Sequence, residues 1–322
     1  GETWRDLNFY ALADYNDQRM MKVWEQSGNV PPKKGEVLLE RATLAYLGSD
    51  PAAYTSLYEL KTNETANDTS DLIEFLDVLN NTATADLPAR LEPICDVENM
   101  LWGLALDNLF ANVDSYIGSA SEYYLYDRSD TGQFVRIHWD LNESFGTTGD
   151  GSPTVSNPMA LGPFWLPSGS GGGPGGMGGP RPLASKLWAV DSYNRLYLRM
   201  LARMLREGFD TATMAARIAE LAALIRADVS ADPHKLYTLN QFETALNSQT
   251  GGGQSPIYGL NQFVQGRVAY LRPALNAYAL PSDVRLNEVT PANAGAVKDD
   301  AGDADPWLEL HNLGPGTVST SG

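Results

Sequence analysis

The stretch "SEYYLYDRSDTGQFVRIHWDL", residues 121–141, admits few backbone arrangements. Two runs rich in aromatic and β-branched residues, Tyr123–Tyr126 and Phe134–Trp139, flank a turn at Asp127–Gly132 that carries Asp130 and Gly132. Such residues fit a pleated surface, and Asp and Gly supply the turn, so the segment reads as a β-hairpin. A hairpin returns its outer ends to one edge. Glu122, before the first strand, and Asp140, after the second, are therefore expected on one rim. Upstream, "DVENMLWGLALDNLFANVD" (96–114) reads as a helix, with Asp96 as N-cap, Asn99 in the first turn, and Val97, Leu101, Leu104, Ala105 and Phe110 at helical spacing. Asp114 ends that segment, one short loop before Glu122.

Taken singly, each of these carboxylates reads as a cap or turn residue. Taken together they are hard oxygen ligands, which suit magnesium bound through one or two carboxylates plus substrate phosphates. Asp140 resists the simpler reading, because it follows Ile137 and Trp139 and precedes a Phe145-Gly146 turn.

Other chemistries lack their residues. The three histidines, His138, His234 and His311, fall in different segments without a His-x-x-x-His pair, which argues against a zinc hydrolase. The serine between glycines at Gly169-Ser170-Gly171 lies in a low-complexity stretch (167–182) rather than on a strand-to-helix elbow. That stretch is glycine-rich but lacks the Gly-Lys-Ser/Thr ending of a phosphate-binding loop. The single Cys95 forms no intrachain disulfide and reads as a small buried residue. Forty acidic residues against 23 basic ones, net −17, leave no basic face for nucleic acid. No 18-residue apolar run predicts a membrane span. No signal peptide is visible at Gly1, and the two ends read as those of a fragment or processed product.

Elsewhere the pattern is mainly helical. Residues 3–27 predict a helix broken near Asp14–Asn16, followed by a Pro-Pro-Gly turn over 28–37. Asp71 is expected to cap "LIEFLDVLNN", and the sequons at Asn63, Asn67 and Asn80 or Asn81 would matter only in a eukaryotic secretory pathway. Residues 183–209 predict one long amphipathic helix. Residues 211–232, 238–248 and 259–278 predict three more. Past Pro281 the pattern becomes β, with strands expected at Val284–Val289 and Trp307–Asn312.

The segment "NVDSYIGSASEYYLYDRSDTGQFVRIHWDLNESFG" resembles the signature region of the CotH family of spore-coat-H-type protein kinases, and similarity extends over roughly residues 40–278. The resemblance implies an α+β, protein-kinase-like fold, with a mostly helical C-lobe at 41–280 and a reduced N-lobe remnant at 1–40. It implies Mg2+ (or Mn2+) and ATP as cofactors, and a Ser/Thr hydroxyl of a protein as acceptor. Asp140 then corresponds to the magnesium-binding Asp of the kinase Asp-Phe-Gly segment, and Asp114 to the catalytic-loop Asp. The family's metal-binding Asn falls on Glu122, its preceding His on Ser121, and the second Asp of its "WDLD" on Asn142. Arg19 and Lys22 are the candidates for nucleotide phosphates in the N-terminal remnant. Residues 283–322 resemble the opening of a lamin-tail β-sandwich, and their forty residues are too few to close a fold of about a hundred. That resemblance implies an extracellular or cell-surface bacterial setting. Two functions fit: an atypical kinase acting on surface proteins, or an inactive kinase-like binding scaffold.

Overall fold

The computed structural model describes residues 23–26, 42–60, 68–146, 155–167, 179–250, 257–278, 284–291, 293, 295, 297–298 and 301–312. The predicted hairpin is present as β3 (Tyr123–Arg128) and β4 (Gln133–His138), in register from Tyr123↔His138 to Arg128↔Gln133. It belongs to a four-stranded antiparallel sheet of order β2-β1-β3-β4, where β1 is Val23–Gln26 and β2 is Tyr58–Leu60. The helix expected to run to residue 27 is thus replaced at its end by a strand. "VWEQ" pairs on both edges, with β2 and with β3, and that shared pairing outweighs local helical periodicity.

Helices α1 (Ser70–Asn81), α2 (Leu87–Leu91) and α3 (Val97–Leu109) precede the hairpin. Asp71 lies inside α1 and accepts from the Leu72 amide; Thr69 holds the N-cap position, because Asp68 already takes the Ser70 amide. Asp96 caps α3 as expected, accepting from the Asn99 amide at 2.9 Å. The helix stops at Leu109 rather than 114, since Ala111 adopts a left-handed φ of 46° that no α-helix continues.

After the hairpin come α4 (Pro182–Ala189), α5 (Asp191–Glu207), α6 (Thr211–Ala231), α7 (Leu239–Ala245) and α8 (Leu260–Asn276). The single helix expected over 183–209 is two. Val190 is extended (ψ 117°), its amide closes α4 on Leu187 O, and Asp191 opens α5 with an acid in the first turn. The core is built from Leu72, Phe75 and Leu79 of α1, Met100 and Leu104 of α3, Tyr197 and Leu201 of α5, and Phe263 and Leu271 of α8. Cys95 is buried, as its sequence setting suggests.

Residues 42–48 form no regular element, yet their backbone is held by side chains. Tyr123 donates to Ala42 O, Tyr116 to Thr43 O and Asn80 to Leu44 O, while Tyr58 accepts from the Leu44 amide. Burial pushes the phenols of Tyr58, Tyr116 and Tyr123 up, so they stay neutral here. The Asn80 amide also reaches Leu76 O, so this sequon serves the fold and does not present a free glycan acceptor.

The last two strands, β5 (Val284–Thr290) and β6 (Trp307–Asn312), match expectation closely and form an antiparallel hairpin with an irregularity near Leu286/Glu288. Leu286, Val289, Leu308 and Leu310 are exposed on it. No helix among the described residues is long and apolar enough to cross a membrane.

Candidate functional site

Helix α3 is fixed to its surroundings at both ends. At its start, the Asp96 amide donates to Phe134 O, the Phe134 amide to Ile94 O, and the Arg136 amide to the Asn99 side chain at 2.7 Å. These bonds tie the helix to β4. At its end, Arg267 of α8, fully buried, donates to Asn108 O, Asn108 Oδ1, Leu109 O, Met159 O and Leu161 O. Burial pulls its guanidinium down to about 10, which still leaves it charged at neutral pH. A cation there also suits the carbonyl end of a helix.

The loop over residues 110–122 departs from that fixed end. It folds on itself: the Ser119 amide reaches Val113 O, the Ala120 amide reaches Ser115 O, and the Ser115 hydroxyl reaches Asn112 O. Gly118 packs so closely that a Cβ would lie 1.9 Å from Val113 O, so only glycine fits. Arg181 donates to Gly118 O from outside. Within this frame the Ser121 hydroxyl, itself bonded to Ser119, donates to Asp114 Oδ1 at 3.1 Å. Asp114 therefore lies on a loop beyond the helix, not at its last turn, and is oriented by the residue just before Glu122.

The turn over residues 139–146 leaves β4. Its first amide, Trp139, donates to Glu122 O at 3.2 Å, and the Trp139 ring meets Tyr124 edge-on at 5.2 Å. Asp140 is left-handed (φ 43°) and exposed, and a short 3-10 turn, Leu141–Glu143, follows with Asn142 exposed on it. The Phe145 amide then donates to Phe110 O at 2.7 Å, and its ring sits edge-on between Phe110 and Phe263. Gly146 (φ 73°) turns the chain where a Cβ would strike Pro158 at 2.5 Å. Trp139 is half-buried, and its neighbour Asp140 is exposed.

Six non-glycine residues of the described chain have positive φ: Leu44, Ala111, Ala120, Glu122, Asp140 and Phe145. All but Leu44 lie in these two loops. Left-handed Ala, Glu and Phe store strain, and such strain gathers at functional sites. Two hydrogen bonds join the segments that carry the expected carboxylates: Ser121, which donates to Asp114, directly precedes Glu122, and the Trp139 amide, next to Asp140, donates to the Glu122 carbonyl.

As a metal site the rim is open. Among the described residues, no three His, Cys, Asp or Glu side chains gather where they could hold an ion. Asp140 has no hydrogen-bond or ion-pair partner among the described residues; the other two expected ligands, Glu122, whose carbonyl accepts from the Trp139 amide, and Asn142, two residues on, also offer side-chain oxygens. That set suits a hard cation that keeps waters and takes further ligands from substrate phosphates; it does not suit a closed protein cage. Arg19 and Lys22 lie outside the described residues.

A buried charge pair, whose pairing no local sequence pattern marks, joins the helix to the hairpin. Arg136 of β4 meets Asp107 of α3 at 2.6 Å, with both side chains buried, and His138 Nε2 lies 3.2 Å from the other Asp107 oxygen. Burial pushes the Asp107 carboxyl up, but Arg136 and His138 outweigh it and hold it below the usual carboxylate range. The signal available in sequence was an Asp on the apolar face of a helix and an Arg inside an apolar strand, each needing a buried partner.

A body about half helical that carries small antiparallel sheets is compatible with a kinase-like α+β protein. The chain belongs to the CotH kinase family: the model described as "CotH kinase protein" matches residues 10–271. The match ends before the β5–β6 hairpin. No curated protein matches the chain.

Proposed function

We propose that this chain is an atypical kinase that transfers phosphate from Mg-ATP (or Mn-ATP) to a Ser/Thr hydroxyl of a secreted or surface protein. The observation that carries this reading is Asp140: an exposed, left-handed carboxylate on a turn pinned at Trp139 and Phe145, one hydrogen bond removed from Glu122. Asp140, Glu122 and Asn142 would hold the cation, which on binding neutralises charge on the transferring phosphates. Asp114, held by Ser121 at 3.1 Å, orients the acceptor hydroxyl and takes its proton as the oxygen becomes a nucleophile. Arg19 and Lys22, in the N-terminal remnant proposed at 1–40, would supply the cations for the donor phosphates, and 41–280 would be the kinase-like C-lobe. The β5–β6 hairpin is the opening of a lamin-tail-like module within 283–322, and it supports an extracellular or cell-surface setting.

One observation favours a second reading, an inactive kinase-like scaffold: among the described residues no three-carboxylate set closes on an ion. Incubation with labelled ATP and magnesium or manganese separates the two. Incorporation by the native chain that is lost in Asp140→Ala is the expected result. Metal-dependent nucleotide binding without transfer would establish the scaffold, and neither binding nor transfer would remove both nucleotide-based readings.

A further inference from the structure

The Asp107–Arg136 pair raises a physical question. Removing two charges from water costs several kcal/mol each, and apolar residues of like volume often hold two elements together as well or better. A helix can, however, slide on apolar neighbours in a way that a charge pair with one geometry does not permit. Arg136 is 0% exposed in its side chain and Asp107 1%. At 2.6 Å the two charges form a close ion pair. Arg136 Nε and Nη1 have no hydrogen-bond acceptor among the described residues. The guanidinium lies instead 5.8 Å from the Tyr116 ring centroid and 5.7 Å from that of Tyr123, where ring faces partly replace the missing acceptors. Gly103 of α3 makes room for it, since a Cβ there would stand 3.1 Å from Nη1.

The neighbours of this one side chain are placed tellingly. Tyr116 follows Asp114 by two residues, and Tyr123 follows Glu122 directly. Asp107 O accepts from the Asn112 amide at 2.9 Å, at the start of the Asp114 loop. Arg136 itself precedes Asp140 by four residues on β4. A single guanidinium therefore lies over rings that neighbour Asp114 and Glu122 in sequence, and it stands on the strand that leads to Asp140.

We propose that Arg136, paired with Asp107, is a positioning residue that sets the spacing between Asp114 and the Asp140 turn. The proposal rests on the kinase reading for its effect on rate, and on the geometry alone for its effect on the loops. The test compares the full chain with Arg136→Lys, Arg136→Met and the double variant Asp107→Leu/Arg136→Met. Arg136→Met alone leaves a buried carboxylate and is expected to lower Tm. The double variant removes both charges and is expected to regain Tm to near that of the native chain. Its kcat is nonetheless expected to fall about 10- to 100-fold with KM for ATP little changed, because misplacement by about an ångström costs rate rather than nucleotide affinity. Arg136→Lys keeps the charge but loses the planar stack, and is expected to fall between.

Hydrogen exchange supplies a readout without activity. The amides of Ala120, Trp139 and Phe145 should lose protection in the double variant, while those of α6 stay as they are. A double variant with native kcat and native protection would show that the pair only packs, and would overturn the proposal. A native chain that transfers no phosphate would defeat the kinase reading and leave the exchange comparison to decide: lost protection supports the positioning role, unchanged protection overturns it. Should the double variant fail to fold, Arg136→Lys carries the same comparison.

Discussion

The loop at 110–122 and the turn at 139–146 each present a carboxylate, and they are built in opposite ways. In the loop, backbone bonds, a serine pair, a required glycine and buried Arg181 close the chain on itself, and Asp114 comes out already held by Ser121. In the turn, the ends are bonded at Trp139 and Phe145 while Asp140, Leu141 and Asn142 between them stand exposed. A group that must aim at a hydroxyl gains from being fixed before substrate arrives. A group whose partner is a cation and its phosphates needs free oxygens and space. Under the kinase reading, the contrast fits a division of labour in which one loop aims and the other receives.

The largest way to break that contrast is to remove the support under the first loop. Arg267→Ala would strip the donor from the carbonyls of Asn108, Leu109, Met159 and Leu161 at once. Buried acceptors left without partners predict a loss of about 3–5 kcal/mol, and a Tm lower by roughly 10 °C. Thermal unfolding checks this. A Tm within 2–3 °C (roughly the shift from 1 kcal/mol) would show that the end of α3 does not depend on this cation.

A smaller change addresses the aim directly. Ser121→Ala removes the hydroxyl that reaches Asp114, at a cost of about 0.5–1.5 kcal/mol in stability. Under the kinase reading its kcat should fall about tenfold while metal affinity is kept, because the turn at 139–146 is untouched. Equal losses of metal affinity and rate would mean that the two loops are not separate in function.

The sequence carried much of this architecture and less of its energetics. The hairpin, the Asp96 cap and the C-terminal strands follow from period and turn chemistry, which are local. Strand β1 does not, because "VWEQ" becomes a strand through its partners on either side. The approach of the segments that carry Glu122 and Asp140 was legible, because hairpin pairing brings the Trp139 amide to the Glu122 carbonyl. Their supports were not. Arg267 acts on residues more than a hundred positions away, and Ala111, Ala120 and Phe145 are left-handed without any residue preference that announces it. Ser121 stands where the resemblance expects a His, and its role shows only in the bond it makes to Asp114.

The smallest expected effect sharpens the comparison most, because its sign is unusual. Asp140 holds a φ of 43°, a conformation that glycine adopts without the steric cost a side chain carries. No hydrogen bond or ion pair of its carboxylate exists among the described residues to be lost with the side chain. Asp140→Gly is therefore expected to leave stability unchanged or raise it by up to about 0.5 kcal/mol, since Asp tolerates this region better than most residues. Phosphate transfer should nevertheless disappear, together with metal-dependent nucleotide binding. Parallel melting curves and metal titrations read both sides. A variant that is clearly less stable would mean that the carboxylate serves the fold, and Asp140 would then resemble Asp114's closed loop rather than stand against it.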